Sequence, residues 1–237
     1  MKKASLQKFE IGRSMIHKLL LYSSAFPNIG LLQGKTGLAI FFMHYYKMTN
    51  NILYEDVAGE LIDEVIGNLN KNLPITFNSG LSGIGWGIDY MIHKEFIAGN
   101  SATVCQEIDQ QIMKIDPRRI SDYSFETGLG GIILYVLAHQ MIVYSQDKKQ
   151  PFDSCYLHDL YSTCINIRYN KEVPPETIRL LEAYLLFYSQ KKLPNEKIWD
   201  TSAIIQGIVD FEEKKFNNYP LGIKQGIAGE LLRNVVY

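Results

Sequence analysis

Two kinds of helical segment alternate along the chain. In the first kind, apolar residues recur every three or four positions, as Leu61, Val65 and Leu69 do, so that only one face of the helix is apolar. In the second kind, for example residues 84–92 and 132–144, apolar residues surround most of the helix. The alternation predicts an all-α fold in which one-sided outer helices pair with inner helices that are packed on both sides.

A glycine motif precedes the inner segments. The pattern Gly-x-x-Gly followed by an apolar run begins at Gly34, Gly80, Gly128 and Gly226, with separations of 46, 48 and 98 residues. The last separation is about twice the others, which places a fifth copy near Thr177 that keeps the helical run but lacks both glycines. The repeat predicts five tandem helical hairpins in a single domain over residues 1–237.

The proline positions support this division into helices. Asp116-Pro117 ends an outer helix, the proline pair at 174–175 opens an inner one, and Pro220 separates the last two. The predicted helices cover residues 5–22, 37–48, 53–71, 83–94, 102–115, 130–144, 154–168, 175–191, 198–217 and 226–237.

Composition and charge narrow the classes of partner. Hydrophobic residues make up 46% of the chain, and its 24 basic side chains nearly balance its 25 acidic ones. A long-range field for nucleic acid or an anionic membrane is therefore not expected. No apolar run is long enough for a membrane span, and charged residues interrupt the N-terminal stretch where a secretion signal would need an apolar core.

The cysteines point to a reduced, cytoplasmic protein. The chain has three, an odd number that does not form a disulfide framework. Cys155 and Cys164 are nine residues apart in one predicted helix, which rotates them to opposite faces. They are therefore expected neither to bridge nor to bind a metal together.

The glycines are expected to serve the turn into each inner helix. Glycine allows a positive φ and a close approach of two backbones. Because outer and inner helices alternate, all inner helices are predicted to run parallel, with their N-termini at one common opening. Helix N-termini carry unpaired N–H groups and a partial positive charge, so this opening would suit a carboxylate, a phosphate or the end of a peptide.

Two segments resemble the lanthionine synthetase C-like family. "SGLSGIGWGIDYMI", from Ser79 to Ile92, is similar to the typical family repeat, and "LGIKQGIAGELL", from Leu221 to Leu232, resembles the family's "LG-x-x-HG-x-x-G" segment. The resemblance implies an α/α toroid. It also implies a relationship to cyclases that add a cysteine thiol of a precursor peptide to a dehydrated serine or threonine, with zinc activating the thiol.

The sequence departs from the family at the residues that carry this chemistry. Family cyclases bind zinc with two cysteines and a histidine in a Trp-Cys and a Cys-His-Gly motif after the second segment, and the chain reaches Tyr237 before either motif. Gln225 stands where the family has an acid-base histidine, and Thr76 and Ser124 stand where an aspartate is usual. The expectation is a shortened, non-zinc member with an incomplete ring of five hairpins and no metal or other cofactor.

The histidines show no metal-ligand spacing. They are expected at the surface or between helices. They are His17, His44, His93, His139 and His158.

Carboxylates near the glycine motifs leave a glycan-cleaving enzyme as an alternative, because an α/α toroid can also hydrolyse or cleave glycans. Such an enzyme needs two carboxyl groups at a suitable separation. The candidates are Asp89, Asp122, Glu126 and Glu230, although helix capping is the preferred explanation for the last two. A third alternative is that the chain is the front portion of a longer cyclase.

The preferred hypothesis is that the protein is a scaffold that binds a peptide substrate or a peptide-modifying protein. Trp86 and Tyr123 could stack on a ligand, although an aromatic residue of the inner layer more often belongs to the core. Arg118 and Arg119 could bind a carboxylate or instead offset a helix C-terminus. Open ring edges would favour self-association. The predicted ligand-binding set is Gly80, Gly83, Trp86, Asp89, Arg118, Tyr123, Glu126 and Gln225.

Overall fold

The computed structural model describes residues 2–146, 149–202 and 204–236. Within these ranges the chain has ten α-helices and no strand, and one isolated parallel bridge joins Gln206 to Lys224. The prediction of an all-α fold is confirmed. No described helix combines the length and the apolar character needed to cross a membrane.

The helix bounds agree with most of the predicted segments. The α-helices are α1 Lys2–Tyr22, α2 Lys35–Thr49, α3 Ile52–Gly67, α4 Leu81–His93, α5 Ser101–Val104, α6 Gln106–Ile112, α7 Leu129–Ser145, α8 Ser154–Ile167, α9 Pro175–Gln190 and α10 Ile227–Val236. Three short 3-10 helices are η1 Pro117–Arg119, η2 Glu196–Trp199 and η3 Glu213–Asn218.

The helices belong to two compact units. Unit 1 consists of Met1–Leu69 and Thr201–Tyr237, and in it α2 packs against α3 and α10. Unit 2 consists of Asn70–Asp200, and in it α7 packs against α4 and α9 while α8 packs against α9. The prediction of a single domain stays a prediction.

Burial separates the two kinds of helix that the hydrophobic pattern predicts. Every residue of α4 from Leu81 to Met91 is buried, and so is every residue of α7 from Leu129 to Gln140. In α3 only Ala58, Leu61, Ile62 and Val65 are buried, along one face. The fourth inner segment, α9, differs from the prediction because it too buries only one face.

One backbone turn recurs at four helix starts. The first N–H of the helix donates to the carbonyl oxygen seven residues earlier. The pairs are Lys35 to Asn28, Leu81 to Pro74, Leu129 to Asp122 and Ile227 to Pro220, with N···O distances of 2.8 to 2.9 Å. The sequence repeat is therefore a repeat of one turn conformation.

Close backbone approach explains the glycine at each of these turns. A Cβ atom on Gly80 would lie 2.1 Å from the carbonyl oxygen of Pro74, and one on Gly128 would lie 2.2 Å from that of Asp122. The expected positive φ is wrong, because no described glycine has one and Gly80 and Gly128 are extended, with φ of −118° and −116°. Glycine is needed here for space alone.

The predicted helix at 198–217 is wrong. The chain there runs through η2, irregular backbone and η3, because its polar backbone groups bond to distant partners. Gln206 N donates to Ile223 O, Gln225 N donates to Gln206 O, and Ile208 N donates to the Glu230 carboxylate. The other outer helix that differs, predicted at 102–115, is divided at Cys105 into α5 and α6.

The environments of Cys155 and Cys164 agree with opposite faces of one helix. Cys155 is exposed, whereas Cys164 and Cys105 are buried. Burial raises the pKa of Cys164 to about 12, so this thiol is both inaccessible and protonated at neutral pH.

We therefore expect a thiol-alkylating reagent to modify the native protein at Cys155 alone and the denatured protein at all three cysteines. Peptide mapping by mass spectrometry measures this directly, with Cys155→Ser as the control that abolishes native labelling. Native labelling of Cys164 at the rate of Cys155 would contradict the burial of that face.

Candidate functional site

Two glycine loops lie side by side in unit 2. The loop 74–80 precedes α4 and the loop 122–128 precedes α7, and together they are called the loop pair. Phe77 N and Asn78 N donate to the carbonyl oxygen of Glu126, at 2.9 and 3.0 Å. Thr177 Oγ1, at the start of α9, donates to the carbonyl oxygen of Tyr123 at 2.8 Å. The starts of α4, α7 and α9 therefore adjoin one another.

The first amides of these helices are already used. Leu81 N and Leu129 N donate to their own loops, and so does Gly130 N, to Ser124 O at 3.1 Å. Neither α4 nor α7 has an acidic residue in its first turn to offset the helix dipole. A ligand at the loop pair would therefore meet loop side chains, including the carboxylates of Asp122 and Glu126, rather than free helix amides.

The structure brings together only part of the predicted ligand-binding set. Gly80 belongs to one loop of the loop pair, and Tyr123 and Glu126 belong to the other, where both are half-buried. Gly83 is buried in the first turn of α4. Arg118 lies outside the loop pair in η1, and it forms ion pairs with Asp116 and Asp159.

The remaining members are placed elsewhere. Trp86 is fully buried in α4, where its ring stacks on Tyr90 at 5.1 Å and packs against Trp199 at 6.0 Å. Asp89 is also fully buried, more than two turns into α4. Gln225 is exposed in unit 1 with a φ of 52°. The core interpretation of Trp86 therefore describes its surroundings better than a role in stacking on a ligand.

Two of the candidate carboxylates hold backbone in place. Asp122 accepts hydrogen bonds from Ser124 N and Thr127 Oγ1, and these bonds lower its pKa. Glu230 accepts from Ile208 N at 3.0 Å and pairs with Arg233 at 2.9 Å. Both arrangements stabilise the segments next to the glycine turns.

A group of six polar side chains lies in the interior of unit 2, between helices that are otherwise apolar. This buried polar cluster comprises Asp89 of α4, Ser101 of α5, Cys105 between α5 and α6, Asp109 of α6, and Tyr135 and His139 of α7. All six are buried.

His139 is at the centre of the cluster. Its Nδ1 lies 2.9 Å from Asp89 Oδ2, and its Nε2 lies 3.1 Å from Asp109 Oδ2. Ser101 Oγ donates to the other oxygen of Asp89, and Tyr135 donates to the other oxygen of Asp109 at 2.7 Å. All four carboxylate oxygens therefore have a hydrogen-bond partner.

The two carboxylates determine the charge of the imidazole. Burial by itself would lower the pKa of His139, but Asp89 and Asp109 outweigh that effect and raise the pKa to about 10. Burial raises the pKa of Asp109, and burial with the nearby carboxylates raises the pKa of Cys105 well above its ordinary value. At neutral pH His139 is therefore a cation between two aspartates, and Cys105 is a neutral thiol.

Sequence reasoning missed this cluster. It placed His139 at the surface or between helices, and the structure shows the second case, with full burial. The available signal was one acidic residue in the apolar α4 and one histidine in the apolar α7, each where a polar group is costly unless it is paired. The partners Ser101, Cys105 and Asp109 lie on a different segment, so no spacing within one helix could reveal them.

The buried polar cluster does not contain the zinc ligand set of the family cyclases. In the part of the chain that the structure describes, the one group of three or more potential metal donors is Asp89, Cys105 and His139. It contains a single cysteine, whereas the family uses two with a histidine. Gln225, at the position of the family's acid-base histidine, has no group that titrates near neutral pH. No step of the family's zinc chemistry can therefore be derived from these residues.

Comparison with known proteins identifies the fold family. No curated protein matches the chain. Residues 26–177 match the sequence profile of a family described as lanthionine synthetase C-like protein. This match covers more than half of the chain, including the turns before α2, α4 and α7 and the whole buried polar cluster. The chain therefore belongs to the lanthionine synthetase C-like family.

Proposed function

We propose that the chain is a non-cyclising scaffold of modified-peptide biosynthesis, and that it binds a linear peptide segment at the loop pair. The observation that carries this proposal is the pair of hydrogen bonds from Phe77 N and Asn78 N to Glu126 O. These bonds fix two loops against each other and align the starts of two helices, neither of which has an acidic residue in its first turn.

The chemistry of the loop pair suits a peptide. Its side chains include the amide of Asn78, the hydroxyls of Ser79, Ser124 and Thr127, and the half-buried ring of Tyr123. Ser79 Oγ donates to Asn78 Oδ1 and Thr127 Oγ1 donates to Asp122, so these hydroxyls offer a peptide backbone their acceptor lone pairs, while the amide NH₂ of Asn78 offers donors. The ring of Tyr123 offers a stacking surface for one side chain.

The proposal does not include a reaction. Thiol addition needs an activated thiolate and a proton donor, and Gln225 cannot transfer a proton near neutral pH. The glycan-cleaving alternative would use Asp89 or Glu126. Asp89 does not support it, because this residue is fully buried and both of its oxygens accept hydrogen bonds. The expected self-association, or a partner that completes the ring, stays a prediction.

The test uses peptides selected from a display library of random linear 12-residue sequences, measured afterwards by fluorescence anisotropy. We expect Tyr123→Ala to weaken binding about tenfold or more, because aromatic side chains dominate peptide interfaces. The hydrogen bond from Thr177 uses the backbone carbonyl of residue 123, so this substitution retains it.

The matched control is Tyr144→Ala at the opposite end of α7. Tyr144 is 67% exposed, so its removal should leave both affinity and stability unchanged. Equal affinity of the wild type and Tyr123→Ala for every selected peptide would count against the loop pair as the binding surface.

A further inference from the structure

The buried polar cluster contains the donor set of a transition-metal site. One donor atom each from Asp89, Cys105 and His139 lie within 4.8 Å of one another, and all three residues are buried. Zinc binds carboxylate oxygen, thiolate sulfur and imidazole nitrogen at about 2.0–2.3 Å, which places neighbouring donors about 3–4 Å apart. The three donors therefore need only small movements to surround one ion.

His139 Nε2 has a carboxylate partner, as the non-ligating nitrogen of a metal-bound histidine usually does. Metal-ligating histidines usually donate the other ring N–H to a carboxylate, which fixes the orientation of the ring. Here Nε2 faces Asp109 Oδ2 at 3.1 Å, and Tyr135 holds the other oxygen of Asp109 at 2.7 Å. Nδ1 lies 2.9 Å from Asp89 Oδ2 and 3.2 Å from Ser101 Oγ, so two oxygen donors adjoin this nitrogen.

We propose that the buried polar cluster binds one divalent transition-metal ion of the zinc class through Asp89, Cys105 and His139 Nδ1, with Ser101 Oγ or a water molecule as the fourth ligand. On binding, the Cys105 thiol and His139 Nδ1 each release a proton, and Asp89 exchanges its hydrogen bond to the imidazole for a bond to the metal. No electron is transferred.

This ion would link three parts of unit 2. Its ligands come from α4, from the junction of α5 and α6, and from α7. The site is distinct from the family's cyclase zinc in ligand set and position, and it is independent of peptide binding at the loop pair. Because every residue of the cluster is buried, a substrate could not reach the ion, and the role of the ion would be structural.

The test titrates the chelator-treated full chain with Co²⁺, which reports thiolate coordination by a charge-transfer band in the near ultraviolet. We expect the band to saturate at one ion per chain and to disappear when Zn²⁺ is added in excess. Cys105→Ser should abolish the band. The matched control is Cys164→Ser, the other buried cysteine of unit 2, which should leave the band unchanged.

A second variant tests the outer partner and guards against a folding defect. Asp109→Asn keeps the three ligands and should weaken Co²⁺ binding about 10–100-fold, the usual cost of losing such a partner. Circular dichroism confirms that each variant is folded. The proposal is overturned if the wild type shows no saturable band, if Cys105→Ser binds like the wild type, or if Asp109→Asn leaves the affinity unchanged.

Discussion

Replacing His139 with alanine is expected to lower the free energy of unfolding by about 3–5 kcal/mol. The imidazolium is fully buried between Asp89 and Asp109, at 2.9 and 3.1 Å. Its removal leaves two carboxyl groups in the interior of unit 2 without the cation that compensates them, and it also leaves a cavity between α4 and α7. Denaturant unfolding in the presence of a chelator measures this cost without any contribution from a bound metal.

His158→Ala is the matched control. His158 lies in the same unit and is exposed on α8, where its hydrogen bond to Tyr188 is open to water, so its removal should change the free energy of unfolding by less than about 1 kcal/mol. A second comparison isolates the electrostatic part. In the background Asp89→Asn with Asp109→Asn, the further change His139→Ala should cost much less, because no carboxylate remains to be compensated. An equal cost in both backgrounds would show that His139 acts only by filling space.

Gly128→Ala is expected to lower the free energy of unfolding by about 1–3 kcal/mol. The added Cβ would lie 2.2 Å from the carbonyl oxygen and 2.6 Å from the carbonyl carbon of Asp122. These are backbone atoms of the turn that also bonds to Leu129 N, so they cannot move aside without breaking the start of α7. Thermal and denaturant unfolding should both show the loss.

Gly99→Ala is the control for this substitution. Gly99 lies in a loop of the same unit and has open space around the position of its Cβ, so the change should be neutral or slightly stabilising. If Gly128→Ala were as stable as Gly99→Ala, close packing would not be the reason for glycine at the start of α7.

The helical architecture was predictable because its signals are local. A helix that is packed on all sides differs from a one-sided helix in the apolar periodicity of a few turns, and α4, α7 and α3 show this difference both in sequence and in burial. The prediction of a helix at 198–217 was wrong because it, too, used only local signals. The apolar residues of this segment have helical spacing, but its backbone bonds to Ile223 and Glu230, which are distant in sequence.

The candidate site was also predicted only in part. The glycine motif predicted that helix starts would gather, and within unit 2 the hydrogen bonds from Phe77 and Asn78 to Glu126 join two of them. The predicted positive φ of the glycines was wrong. Close packing and a positive φ both favour glycine over other residues. The motif alone cannot distinguish the two causes.

The sequence by itself determined that this protein is built from tandem helical hairpins with a repeated glycine turn, because periodicity and turn chemistry act over a few neighbouring residues. Only the tertiary structure decided that Asp89 and His139, 50 residues apart, share a hydrogen bond, and that Cys105 and Asp109 join them from a third segment. The environment of a buried polar group is created by the elements that pack around it, so its partners and its charge are properties of the fold.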